Sequence, residues 1–184
     1  AVLAGTLIDF QAQPASELKA RIWLEYGNVL RLTGVVSESE KYLQEGLTIA
    51  RQLQYTEGIQ AAQLYLGTVW LAQKNYPVAL QFFQQAAAQP GALQFAAQLQ
   101  YFKILQFLDR TPEALALLPQ LETTLTTRPP STRTIYAHIE LAALLQRCCQ
   151  QGTASSSSLP TAQLLATAIQ HSQAIGNLRA ESYA

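Results

Sequence analysis

Residues 64–86 read LYLGTVWLAQKNYPVALQFFQQA, and the spacing of large, small and turn residues within this stretch decides the fold. Leu66, Val69 and Trp70 fall at helical spacing before Lys74-Asn75, and Ala79, Phe83 and Ala86 do so after it. Asn75 is suited to cap the second helix, because its side-chain oxygen can accept one of the amides that a helix start leaves without a partner. Gly67, Ala79 and Ala86 are small, so the two helices can approach closely, while Trp70, Tyr76 and Phe83 fill the space beside them. The stretch therefore reads as a helical hairpin joined by a short turn.

The same pattern recurs along the chain. Upstream, Trp23, Tyr26, Gly27, Leu30 and Gly34 are followed by Ser39, Leu43 and Gly46. Downstream, Tyr101, Phe102, Leu105, Ala114 and Leu118 keep the register, with Phe102 where a small residue belongs. A fourth unit places Leu141, Ala142 and Leu145 before Thr161, Leu165 and Ala168. The anchors Gly27, Gly67, Phe102 and Ala142 stand 40, 35 and 40 residues apart. Self-similarity at such a period is the signature of a repeat array, in which each unit buries its apolar face only against its neighbours.

Helices are expected over 16–34, 37–54, 56–73, 76–88, 91–108, 111–126, 132–150 and 160–175. Ser16 and Thr56 are N-cap candidates, Ser37 with Glu40 reads as a capping box, and Thr111 precedes Pro112 and Glu113. Pro119 should kink the sixth helix, since its ring removes an amide donor and crowds the preceding turn. The Ser-rich stretch 152–160 reads as an insertion loop. No run alternates with period two, and none approaches the length needed to span a bilayer.

These residues resemble the tetratricopeptide repeat (TPR) signature, in the longer-period variety of kinesin light chains, LGN-type scaffolds and bacterial proteins that carry a caspase-like CHAT domain. LTIARQLQYTEGIQAAQLYLG, 47–67, and HSQAIGNLRAESYA, 171–184, are most similar to the last group. The resemblance implies an all-α, right-handed α-solenoid of antiparallel helix hairpins. Its repeats would span 16–55, 56–90, 91–130 and 131–176, with 1–15 as the tail of a preceding helix and 177–184 as the start of a fifth repeat.

It also implies an interaction scaffold that binds a peptide or protein in a concave groove, as a regulatory or sensing part of a larger protein. A structural spacer or self-association segment is the alternative. The partner could be an effector domain of the same polypeptide. By the repeat register the groove would be lined by Arg21, Leu24, Asn28 and Arg31 in the first unit and by Leu64, Tyr65, Thr68 and Leu71 in the second. Leu99, Lys103 and Gln106 would follow in the third, then Tyr136, Ile139, Ala143 and Arg147 in the fourth. Only Asn28 with Arg31 matches part of the carboxylate clamp of chaperone-binding members.

Composition narrows the function classes. Twelve basic and twelve acidic residues cancel to a formal net charge of zero, so no overall positive field gathers nucleic-acid phosphates. Only 13% of residues are charged, about half the usual share, and glutamine takes their place. Cys148 and Cys149 are adjacent and cannot staple distant segments, which fits a reducing, cytoplasmic setting. On one helix His138 and Cys148 would stand about 15 Å apart along the axis, too far for a nucleophile and its base. Glu25 and Glu140 recur at one repeat position, as duplicated scaffold would. His171 has no second ligand at i+3 or i+4. No catalytic set, metal site, cofactor motif, nucleic-acid surface or membrane segment is expected.

Overall fold

The computed structural model describes residues 11–150 and 160–176. Its helices are α1 (Glu17–Leu32), α2 (Val36–Gln52), α3 (Thr56–Ala72), α4 (Tyr76–Ala88), α5 (Gln94–Phe107), α6 (Thr111–Ala116), α7 (Leu118–Thr126), α8 (Thr132–Gln150) and α9 (Thr161–Ile175). No strand occurs among the described residues. Most of 152–160, together with 1–10 and 177–184, lies outside them. The chain divides into two compact units, Ala1–Gln98 and Leu99–Ala184.

One corner recurs where helices meet. Gly34, Gln54, Lys74 and Asp109 each adopt a left-handed backbone, with φ of 84°, 54°, 61° and 57°. In each, the amide of the left-handed residue donates to the carbonyl three back, at 3.0–3.1 Å, and the next amide donates five back, at 2.8–2.9 Å. This pairing satisfies the carbonyls left open at a helix end. The residue after the corner, Val35, Tyr55, Asn75 or Arg110, is then the N-cap of the following helix.

That corner corrects several capping expectations. Ser16 does cap α1 by accepting from the Lys19 amide at 3.2 Å, and Asn75 caps α4 by accepting from the Val78 amide at 3.5 Å. The Ser37–Glu40 box does not form, because α2 already begins at Val36; Thr56 and Thr111 are first helical residues, not caps. The end of the preceding helix fixes where the next one starts, leaving the hydroxyls one or two places too late. Three of the four corners carry a side chain in a conformation that costs an L-residue about 1–2 kcal/mol. Lys74→Gly should therefore raise the unfolding free energy by about 0.5–1 kcal/mol after the extra flexibility of an unfolded glycine is subtracted. A urea midpoint that stays level or falls would remove this account of the corner.

In the first unit α1 packs on α2, α3 on α4, α2 on α3, and the two first helices, α1 and α3, also touch. Leu24, Leu43, Leu47, Ala62, Leu66 and Val69 form the shared core, with Tyr65, Trp70 and Phe82 against it. The small residues have the purpose the sequence suggested. A Cβ at Gly27 would lie 2.7 Å from Leu43 Cγ, one at Gly46 2.7 Å from Leu24 Cδ2, and one at Gly67 2.6 Å from Phe83 Cε1. Ser39 Oγ donates to the Gly27 carbonyl at 2.7 Å, and Ala79 and Ala86 are wholly buried. The end of α4 is held by Gln60, whose amide donates to the carbonyls of Ala86 and Gln89 at 3.1 and 2.6 Å.

In the second unit the helix expected over 111–126 is broken at Leu117 into α6 and α7, with Pro119 in the first turn of the latter. This is the kink that Pro119 predicts. Helix α8 packs on α9 and against α7. Phe102, Leu105, Leu121, Leu125, Ile135, Leu141 and Leu145 are all fully buried.

Candidate interaction surface

Helices α1 and α3 bring together part of the expected groove. Asn28, Arg31, Tyr65, Thr68 and Leu71 are half-buried and Arg21 is exposed. Asn28 and Arg31 sit one turn apart, so the Asn28 Oδ1 accepts from both Arg31 Nε (3.2 Å) and Nη2 (2.8 Å). Burial lowers the Arg31 pKa from its ordinary value, and the nearby Tyr65 opposes that shift. The guanidinium stays charged at any physiological pH. The ion pairs among the described residues are Lys103–Glu140 and Arg110–Glu113. Arg31 is in neither, so this partly desolvated cation is aimed by an amide and meets no carboxylate there. Thr68 Oγ1 donates to the Tyr65 carbonyl at 2.7 Å and so is turned back onto its own helix.

Three leucines expected in the groove are core residues. Leu24 is 2%, Leu64 7% and Leu99 4% exposed. Burying a leucine stabilises by about 1.5–3 kcal/mol, and Leu24 has a cavity made for it by Gly46.

In the second unit Tyr136, Ile139, Glu140 and Ala143 on α8 line an open, mainly apolar hollow of about 370 Å³. Arg147, exposed, stands one turn beyond Ala143 on the same stripe. Lys103 on α5 pairs with Glu140 across from it. Gln106 is spent elsewhere, since its amide donates to the Leu144 carbonyl at 3.4 Å and to Cys148 Sγ at 2.7 Å. Burial pushes the Cys148 thiol up from its usual range, away from thiolate character.

The sequence reading treated the two histidines separately, yet α8 and α9 set them side by side. The rings of His138 and His171 are 5.5 Å apart, edge to face. The signal was available in the repeat register, where His138 takes the position of Trp23 and His171 that of Ile49. Those two residues line one hollow in the first unit. His138 is 2% exposed, with Nδ1 2.7 Å from the Thr134 carbonyl. A carbonyl can only accept, so Nδ1 carries the proton.

Burial lowers the His138 pKa from 6.5, the Thr134 bond opposes this, and the neighbouring His171 lowers it further. Glu122 lines a small cleft beside His138. The folded state thus favours neutral His138, and the unfolded chain binds the extra proton. The stability this contributes is whole above about pH 6.5 and is lost as the pH falls below it. With EDTA present, an NMR titration should place the His138 midpoint below that of a free histidine; a midpoint at or above it contradicts the burial argument.

Among the described residues no group of three His, Cys, Asp or Glu is placed to hold a metal, and no helix is long and apolar enough to cross a membrane. No protein-family model, curated protein or solved structure matches the chain. What the fold defines is a class: an all-helical protein, among the described residues, built of helices packed on their neighbours.

Proposed function

We propose that the chain is a segment of a TPR-like solenoid whose first-helix faces bind a peptide or protein, within a larger regulatory or sensing protein. Arg31 carries this reading. A half-buried guanidinium aligned by Asn28 and without a carboxylate among the described residues is costly to keep as mere scaffold, but it is pre-organised to meet an acidic side chain of a partner. The hollow around Tyr136 and Ile139 supplies the apolar half of such recognition in the second unit. The recurring corner and the glycine-to-large-residue pairs Gly27–Leu43 and Gly67–Phe83 support the repeat. The similarity to CHAT-associated arrays suggests an effector domain of the same polypeptide as the thing regulated.

A display library of random twelve-residue peptides selected against the purified chain tests this. Enriched peptides should carry Asp or Glu beside an apolar anchor. The double variant Arg31→Glu, Tyr65→Ala should weaken their binding at least tenfold, as about 1.4 kcal/mol or more of charge-assisted contact turns repulsive. No enrichment, or binding indifferent to the double variant, would leave the spacer reading in possession. Sedimentation would then be expected to show self-association.

A further inference from the structure

We infer that His138 and His171 form a two-imidazole chelate for a borderline transition-metal dication such as Zn²⁺, Ni²⁺ or Cu²⁺. Two independent features of the pair point there. His138 Nδ1 donates to the Thr134 carbonyl at 2.7 Å, the kind of backbone bond that fixes ring orientation and tautomer in metal-bound histidines and leaves Nε2 as the unprotonated nitrogen. His171 Nδ1 is buried and has no hydrogen-bond partner among the described residues. A buried nitrogen in that condition calls for a donor, a water or an ion.

The spacing agrees with shared coordination. With a metal–nitrogen bond of about 2.0–2.1 Å, each ring centre lies about 3.2 Å from the ion, so two rings bound at a tetrahedral angle have centres about 5.2 Å apart. The observed separation is 5.5 Å. Beside His138 a cleft of about 140 Å³ opens between α7, α8 and α9, with Glu122, Thr126, Gln163 and Thr167 on its walls. The wall oxygens offer hydrogen-bond partners to water on the His138 side of the pair. His171 is only half-buried, which gives an ion a way in. Two protein ligands with water in the remaining positions place the affinity in the micromolar class, below that of a four-ligand structural zinc site. The site belongs to the second unit alone and stands apart from the peptide-binding proposal.

The test uses the full chain without any affinity tag, stripped with EDTA and dialysed. Zn²⁺ titrated calorimetrically at neutral pH should bind in a single one-to-one step. At tenfold the dissociation constant it should raise Tm by about 3–6 °C. Nitrogen NMR should show both imidazoles shifting together in that step. His171→Gln, at a half-exposed position that leaves the core intact, should weaken the step at least tenfold, and His138→Gln should do so if its circular dichroism remains that of the wild type. Absence of a saturable one-to-one step, equal affinity in wild type and His171→Gln, or shifts confined to residues around Cys149 would each overturn the site.

Discussion

Gly67→Ala should lower the unfolding free energy by about 2 kcal/mol, although alanine is the better helix former by about 1 kcal/mol. The added methyl would stand 2.6 Å from Phe83 Cε1, 2.7 Å from Cδ1 and 3.1 Å from Cζ. Real carbon atoms do not approach so closely, so ring or helix must move. The ring has nowhere to go, since Phe83 is wholly buried. The helix is tethered as well: Gln60 holds the Ala86 and Gln89 carbonyls, Gln63 donates to the Gln85 side chain at 3.0 Å, and Gln89 donates to Gln63 at 2.8 Å. Gly27→Ala makes a useful contrast, because it meets a leucine branch that can change rotamer, and its cost should be smaller. In a double-mutant cycle, Phe83→Leu should recover at least half of the Gly67→Ala loss, a coupling expected only of residues in contact. Urea denaturation of the four proteins gives the answer. A Gly67→Ala protein as stable as wild type would mean that the two helices are not packed as described.

Legibility in the sequence followed the range of the interaction involved. Helix existence was readable because apolar spacing is local: the elements at 17–32, 56–72, 76–88 and 132–150 fall within two residues of expectation. The break at Leu117 was readable for the same reason, since a proline acts on its own turn. Helix starts after the corners matched at 56, 76 and 111 and were one residue late at 37, but the capping residues were misassigned. Ser37, Thr56 and Thr111 look like caps by type, but a left-handed residue such as Gln54 or Lys74 has no marking in sequence, unlike Gly34. Groove membership was harder. Leu24 and Asn28 are one turn apart on the same helix; only the hole left by Gly46 on the neighbouring helix decides that Leu24 goes in. The Asn28–Arg31 pair was within reach because it is local. The approach of Tyr65 depends on packing between helices, which spacing alone does not specify, and the meeting of His138 with His171 was legible only by comparing their register positions with those of Trp23 and Ile49.

Phe102→Gly should cost about 4–6 kcal/mol, the largest effect expected of any single change discussed, and it opposes what the repeat pattern recommends. By the register expected from sequence Phe102 would occupy the place of Gly27 and Gly67, so a consensus argument would count glycine there as a repair. The packing argues otherwise. Phe102 is completely buried, and removing its ring forfeits the burial of an aromatic side chain and opens a cavity. That alone is worth about 3–5 kcal/mol, and glycine within a helix adds about 1 kcal/mol. The partner position has changed in step. Where Gly27 faces Leu43 and Gly67 faces Phe83, the corresponding Leu118 lies just past the break at Leu117 and is only half-buried. Since domains are held by only about 5–15 kcal/mol, the second unit should lose most of its stability. The loss should appear as faster amide exchange along α8, where Ile135, Leu141 and Leu145 are now fully covered. A variant that stays level, or gains stability, would restore the consensus reading of position 102 and reject Phe102 as a core residue of the second unit.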